Sequence, residues 1–287
     1  MKEDKQNTSC HPSKKYNGFS CYSLNQLKKI AGTLNKRGKN IAISNNRYEL
    51  WKNINNVMKE SCSKEWCWIN TGILSNINDD ELREKTFKPI HPDEWNENKY
   101  AWLSNFDIDA VMEQYEDYYK DFLFLGPVPI DFEDIYTELS GKTLQNIYNS
   151  GKRRIGIVFN LDPHWKGGSH WICMYIDMND INNGIIAFYD SYGMEPNKEI
   201  QDLMSKFISQ GLSLNPKIIL EPIYNPIQHQ HKNSECGMYC INLIMNMLKT
   251  NGTRDDFINV CKNIIDDDQM NSLRKFYFLN NGKNSSI

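Results

Sequence analysis

The chain holds no apolar run approaching the ~18 residues that cross a bilayer, and its first residues, MKEDKQNTSC, contain no apolar signal core. These absences argue against membrane-spanning and secreted proteins. Cysteine is sparse for a disulfide scaffold, with eight in 287 residues, so a reducing compartment is expected, with the thiols free, metal-bound or catalytic. Charge of one sign is lacking too: 33 Lys+Arg against 36 Asp+Glu leaves −3, which names no polyanionic partner. No internal repeat is visible. What is present is a globular composition, 40% hydrophobic and 24% charged, which argues against wholesale disorder. The length suits one large domain or two small ones.

The near-balance of charge hides an asymmetry. Between Ser23 and Met58 stand seven Lys/Arg and one acid, Glu49, so this stretch carries +6 and the remainder −9. Residues 1–15 are polar and read as a disordered tail. Residues 16–60 read as a basic two-helix module, from Leu24, Leu27, Ile30 and Leu34 and again from Leu50, Trp51, Ile54, Val57 and Met58. Residues 61–99 read as a connecting segment packed on the main domain, which occupies 100–287.

In that domain Asp107–Phe124 reads as a helix stopped by Gly126-Pro127-Val128-Pro129. Ile155–Phe159, Trp171–Ile176 and Ile185–Tyr189 read as consecutive antiparallel strands. Pro196–Gln210 reads as an amphipathic helix and Lys217–Tyr224 as another strand. Cys236–Leu248 is apolar on every side, which marks a buried helix, and Thr253 is placed to cap one more. The class is α+β: a central, mostly antiparallel sheet packed on a buried helix that begins with a cysteine, with a helical N-terminal extension.

Cysteine hydrolases need a thiolate, an imidazole, a group to orient the imidazole, and donors for the oxyanion. Cys236 starts the buried helix in Ser234-Glu235-Cys236-Gly237, where unpaired N–H groups and the helix dipole favour a negative sulfur. Gly237 is expected to leave that sulfur open to approach. His170 begins one strand after the Gly167-Gly168-Ser169 turn, and Asp190 closes the next in Phe188-Tyr189-Asp190-Ser191. A hairpin would make the two neighbours. Gln230, six residues before Cys236, is placed to offer its amide to an oxyanion, with the Cys236 N–H as second donor. Taken singly, each has a bland reading as core filler or turn; their order and positions at element ends do not.

These residues resemble the adenovirus-protease and ubiquitin-like-protein-specific protease clan, and within it the polyprotein proteases of large cytoplasmic DNA viruses. The matching elements are Gly168-Ser169-His170-Trp171, Phe188-Tyr189-Asp190-Ser191, and Gln230 through Glu235-Cys236-Gly237. Upstream, Trp102-Leu103-Ser104-Asn105-Phe106-Asp107-Ile108-Asp109 is similar to the clan's Trp-Leu-Asn-Asp helix start, and Pro129-Ile130-Asp131-Phe132 resembles the viral members. The resemblance implies a cysteine protease domain over 100–287, with Cys236 as nucleophile, His170 as base, Asp190 as its partner and Gln230 as oxyanion donor. It implies substrate contacts at Trp102 and Trp171, which resemble the tryptophans walling a tunnel for a Gly-Gly end, and at Asn160, which aligns with an Asn of the viral relatives. Asn105 departs from the Asp frequent in cellular members, which weakens a ubiquitin-like substrate. The implied partner is a viral structural polyprotein with Gly-Gly-like sites, and the implied setting is the host cytoplasm, its viral factories and the virion. No cofactor and no membrane are called for.

Four other readings stand beside this one. His229-x-His231-x4-Cys236-x3-Cys240 offers zinc two imidazoles and two thiolates, but leaves His170 and Asp190 without a role. The basic module resembles small two-helix nucleic-acid-binding units of the SAP type, in Ser23-Leu24-Asn25-Gln26-Leu27 and Tyr48-Glu49-Leu50; its alternative is a solvated basic face. A ubiquitin-type isopeptidase, or a silent scaffold, completes the set.

Overall fold

The computed structural model describes residues 9–14, 18–72, 74, 77, 79–135, 137, 139 and 141–280. They form two compact units. One comprises the described residues as far as Ile90 together with Phe276–Leu279; the other comprises those from His91 to Lys275 with Asn280.

In the first unit, α1 (Leu24–Lys36) begins with a capping box, since Ser23 accepts from the Gln26 N–H and the Gln26 side chain accepts from Ser23. Helix α2 (Arg47–Met58) is capped by Asn46. Leu27, Ile30, Leu34, Leu50, Ile54 and Met58 are fully buried, as the helical spacing requires. The expected boundary after residue 60 is corrected here. Trp68 of α3 (Glu65–Trp68), Leu74, Leu82 of α4 (Asp80–Arg83) and Phe87 share one core with those helices. Two helices alone cannot bury both apolar faces, and residues as far as Ile90 complete that core.

The tail expected over 1–15 lies partly outside the described residues. Cys10, within it, is buried and pairs with Phe87 as an isolated β-bridge. The expectation of unbridged thiols is also corrected in this unit. Cys10 and Cys21 form a disulfide with Cα atoms 5.2 Å apart, and Cys62 and Cys67 form a second at 6.1 Å, both spacings that suit a bridge.

In the second unit, α5 (Asn105–Tyr118) is followed by β1 (Phe122–Pro129), α6 (Leu144–Asn149), β2 (Arg154–Asn160), β3 (Trp171–Asp177) and β4 (Gly184–Tyr189). Then come α7 (Lys198–Ser213), β5 (Leu220–Tyr224), α8 (Cys236–Lys249), α9 (Arg254–Lys262), α10 (Asp267–Ser272) and the first two residues of α11 (Arg274–Tyr277), whose last two, Phe276 and Tyr277, belong to the first unit. The sheet runs in order β1-β2-β3-β4-β5. The α+β class holds, but the sheet is mixed: β2-β3 and β3-β4 are antiparallel, whereas β1-β2 and β4-β5 are parallel. Both parallel pairs span a crossover helix, α6 or α7, as parallel neighbours require. The helix expected over Asp107–Phe124 ends at Tyr118, and its last residues open β1. Pro127 and Pro129 sit in β1 because it is an edge strand, where a missing N–H is tolerated.

Helices cover both faces of the sheet. Ile155, Ile157, Ile172, Met174, Ile186 and Phe188 share a core with Leu144 and Ile147 of α6 and Ile200, Leu203 and Phe207 of α7. The opposite face carries α8, which packs on β2 and β3. Strands buried on both faces read as continuous apolar runs, as β3 and β4 do. Each fully buried aliphatic side chain of α8 contributes about 1.5–3 kcal/mol, so the N-terminus of α8 is anchored by the rest of its length.

Candidate active site

The antiparallel register pairs Cys173 with Tyr189 and Met174 with Phe188. Extending it outward sets His170 opposite Tyr192 and Asp190 opposite Ile172, which makes His170 and Asp190 diagonal neighbours across the hairpin. His170 and Asp190 meet there: Nε2 of the imidazole lies 2.7 Å from Asp190 Oδ1, and both residues are buried. Asp190 is held in turn. Its Oδ1 accepts the Tyr192 N–H at 2.8 Å, and its backbone carbonyl accepts Asn225 Nδ2 at 3.0 Å. The Tyr192 ring stacks on His170 with centroids 4.6 Å apart.

Cys236 is the other group that favours charge on the ring. With Nε2 committed to Asp190, Nδ1 is the ring nitrogen left for a further partner. Burial opposes charge on the ring, yet Asp190 and Cys236 outweigh it and raise His170 from 6.5 to about 9. At neutral pH the ring therefore carries a proton. Cys236 is buried at the first turn of α8, where the dipole favours negative charge.

Gly237 plays a different part from the one expected. A Cβ there would stand 3.1 Å from Leu103 Cβ and 3.3 Å from Trp171 Cδ1, so the missing side chain lets the helix close on those two residues.

Gln230 is fully buried. Its Nε2 donates to Lys232 O at 2.9 Å, an acceptor that settles the amide's orientation, and its Oε1 accepts the Ser191 hydroxyl at 2.7 Å. One N–H of that amide is left for a further acceptor. The following turn is tied down by Asp267, whose Oδ2 accepts the His231 and Lys232 N–H groups.

Trp102, Trp171 and Asn160 line one groove of about 1000 Å³, together with Ser104, Asn105 and Gly168. Trp171 is buried and donates its indole N–H to Leu103 O at 3.0 Å, whereas Trp102 is 40% exposed. Asn160 braces the wall of the groove: its Oδ1 accepts the Asp162 and Ser169 N–H groups. Gly168 lies against its amide with φ +89°, a position where a Cβ would fall 2.7 Å from Asn160 Nδ2.

The zinc reading of the same stretch finds little geometry. His229 Nε2 donates to Cys261 O at 2.8 Å, and burial holds that ring below its ordinary value, as a neutral imidazole. The Cys173 thiol donates to Cys240 O at 3.9 Å, and burial together with that neighbour pushes the Cys240 thiol well up. Among the described residues no group of three or more His, Cys, Asp or Glu is arranged to hold a metal ion. Cys261 is likewise pushed up to about 12, mainly by burial.

Sequence reasoning brought His170, Asp190, Cys236 and Gln230 forward and missed what supports them. Tyr192 stands two residues beyond Asp190 and Ser191 one, so both were within reach of the motif. Asn225 offered no local signal, because only the parallel β4-β5 pairing carries it to Asp190.

No protein-family model matches the chain. A protein of Acanthamoeba polyphaga mimivirus that carries a thiol-protease name is 33% identical over 202 residues, which are 70% of this chain and 63% of that one. A cysteine protease of African swine fever virus is 26% identical over 157 residues, 50% of this chain and 57% of that one. The chain thus spans about three-fifths of the length of these curated relatives. The crystal structure of the African swine fever virus protease superposes with a TM-score of 0.67 at 20% identity, covering 96% of both chains, which shows a shared fold.

Proposed function

We propose, on the premise that this chain is a homologue of the thiol proteases of large DNA viruses, that it is itself a cysteine endopeptidase. The observation that carries the proposal is the His170 ring, hydrogen-bonded to Asp190 and held charged by both Asp190 and Cys236. At neutral pH the imidazole already holds the proton that Cys236 gives up, and Asp190 stabilises that cation. The thiolate attacks the substrate carbonyl, and the oxyanion is held by the Cys236 N–H with Gln230. His170 then protonates the leaving amine, and water releases the acyl group by the reverse sequence.

The substrate we infer carries a small residue, Gly, before the scissile bond. Two indoles, Trp102 and Trp171, line one groove, Trp171 lies against Gly237, the residue after Cys236, and a passage walled by flat rings admits a chain without side chains most readily. Gly-Gly-X sites in viral structural polyproteins, cleaved in the host cytoplasm and the assembling virion, fit that requirement. A second reading, removal of a ubiquitin-like modifier whose tail ends in Gly-Gly, has support in the name SUMO-1 cysteine protease carried by some African swine fever virus relatives.

The test offers the full chain a Gly-Gly-X peptide and a ubiquitin-like C-terminal substrate, with Cys236→Ser as control. Cleavage of the peptide alone supports the polyprotein reading, and preferential cleavage of the modifier supports the second. Cleavage of neither, or stoichiometric zinc in the pure protein, defeats the enzyme reading.

A further inference from the structure

The residue before Cys236 is a fully buried carboxylate. Glu235 occupies the N-cap position of α8, yet its side chain makes no capping bond to the helix. It turns instead to donors outside the helix. Arg274 Nε and Nη2 reach its two oxygens at 3.0 and 2.8 Å, Asn271 Nδ2 donates at 2.9 Å, and Ser234 Oγ at 3.2 Å. Arg274 is itself buried, donates through Nη1 to Lys99 O at 3.0 Å, and lies 4.2 Å from the centre of the Trp95 ring. The carboxylate is thus locked by a bidentate fork in a dry site, the geometry that most firmly fixes an ion pair.

Its position has an electrostatic consequence. An unpaired carboxylate one residue from the sulfur would oppose negative charge there and offset the helix dipole. Arg274 removes that opposition. Burial lowers the guanidinium's own proton affinity, while the charges of Glu235 and Cys236 both act to raise it. The two singly charged partners therefore pull on the thiolate in opposite directions.

Resting on the reading of Cys236 as nucleophile, we propose that Glu235 and Arg274 are positioning residues for it. Glu235 fixes the corner from which α8 starts, and Arg274 cancels its charge so that it does not oppose negative charge on the Cys236 sulfur. Neither residue touches the substrate. The other ionisable groups that face the sulfur or this pair are His170, Asp190, Tyr192 and Cys240, with Asp107 acting on Arg274 and Asp266 and Asp267 on the adjoining turn.

The test is the pH–rate profile of Cys236 alkylation by iodoacetamide in the full chain, with the modified residue mapped by mass. In Arg274→Met the midpoint is expected to rise by about one pH unit, so alkylation at pH values well below the parent midpoint slows about tenfold. In Glu235→Gln the midpoint falls, and in the double variant it returns close to the parent value. A merely structural pair would move neither midpoint, or both in one direction, and that result overturns the proposal. If Arg274→Met does not fold, Glu235→Gln and Arg274→Lys decide it: the first is expected to lower the midpoint and the second to leave it in place. Should Cys236 of the parent chain react no faster than the buried Cys261, the nucleophile reading fails and this proposal with it. Fast reaction with unmoved midpoints overturns the proposal alone.

Discussion

His170 Nε2 and Asp190 Oδ1 stand 2.7 Å apart, one just before β3 and the other just after β4, with no exposed face between them and solvent. The antiparallel pairing of those strands makes the contact, and the contact decides the charge of the ring. Raised from 6.5 to about 9 against the effect of burial, His170 is protonated at neutral pH. Its ionisation adds stability that is complete below about 6.5 and is lost as the pH rises through about 9.

Two outcomes are expected from that. The alkaline limb of kcat/KM should fall near pH 9, where the imidazolium is lost. In Asp190→Asn burial is no longer countered by the carboxylate, so the limb moves to lower pH, and kcat falls by roughly 10²–10⁴-fold. Profiles of both proteins measured on one peptide check this; an unmoved limb would separate Asp190 from the ring's charge.

Gln230 is aimed by Ser191, whose hydroxyl donates to its Oε1 at 2.7 Å. Gln230→Ala is expected to lower kcat by about 10²–10³-fold with little change in KM, the signature of a lost oxyanion donor. Ser191→Ala leaves the amide in place but unheld, and a smaller loss, about tenfold, is expected in the same parameter. Steady-state kinetics of the two variants measure both, and a Ser191→Ala loss confined to KM would contradict the assignment.

Gly237 has Leu103 and Trp171 where its side chain would be. Gly237→Ala is expected to push the start of α8 away from β3 at a cost of about 1–3 kcal/mol. Urea unfolding reports the loss of stability. Slower Cys236 alkylation reports the displaced sulfur.

Only Cys173, Cys236, Cys240 and Cys261 are unbridged. Labelling the denatured, unreduced protein should add four thiol adducts, and reduction should expose four more. Eight adducts without reduction would remove the Cys10–Cys21 and Cys62–Cys67 bridges. By the chain-entropy estimate the Cys10–Cys21 loop, closed across a separation of 11 residues, adds about 3 kcal/mol, so the first unit should melt at lower temperature in reductant.

Much of the second unit was legible in the sequence because its pattern is local. The apolar runs of β2, β3 and β4, the amphipathic α7 and the all-apolar α8 each announce themselves within a dozen residues. The candidate triad was legible for the same reason: His170, Asp190 and Cys236 each mark the end of one such element. Strand β1 was not, because Gly126, Pro127 and Pro129 read as a stop, and only its place at the sheet edge makes them tolerable. The reach of the first unit's core to Ile90 was not legible either. Trp68, Leu74 and Leu82 show that they need burial without showing against what. Disulfide partners and the Arg274–Glu235 pair, 39 residues apart, are set by tertiary folding alone.

The most direct measurement is intact-mass and peptide mapping of the full chain after exposure to a Gly-Gly peptide bearing a thiol-reactive C-terminal electrophile. One adduct is expected, on Cys236, at a rate that collapses in His170→Ala while the fold persists. No adduct, or an adduct on Cys173, Cys240 or Cys261 in its place, would contradict the assignment of Cys236 as the nucleophile of a Gly-selective protease.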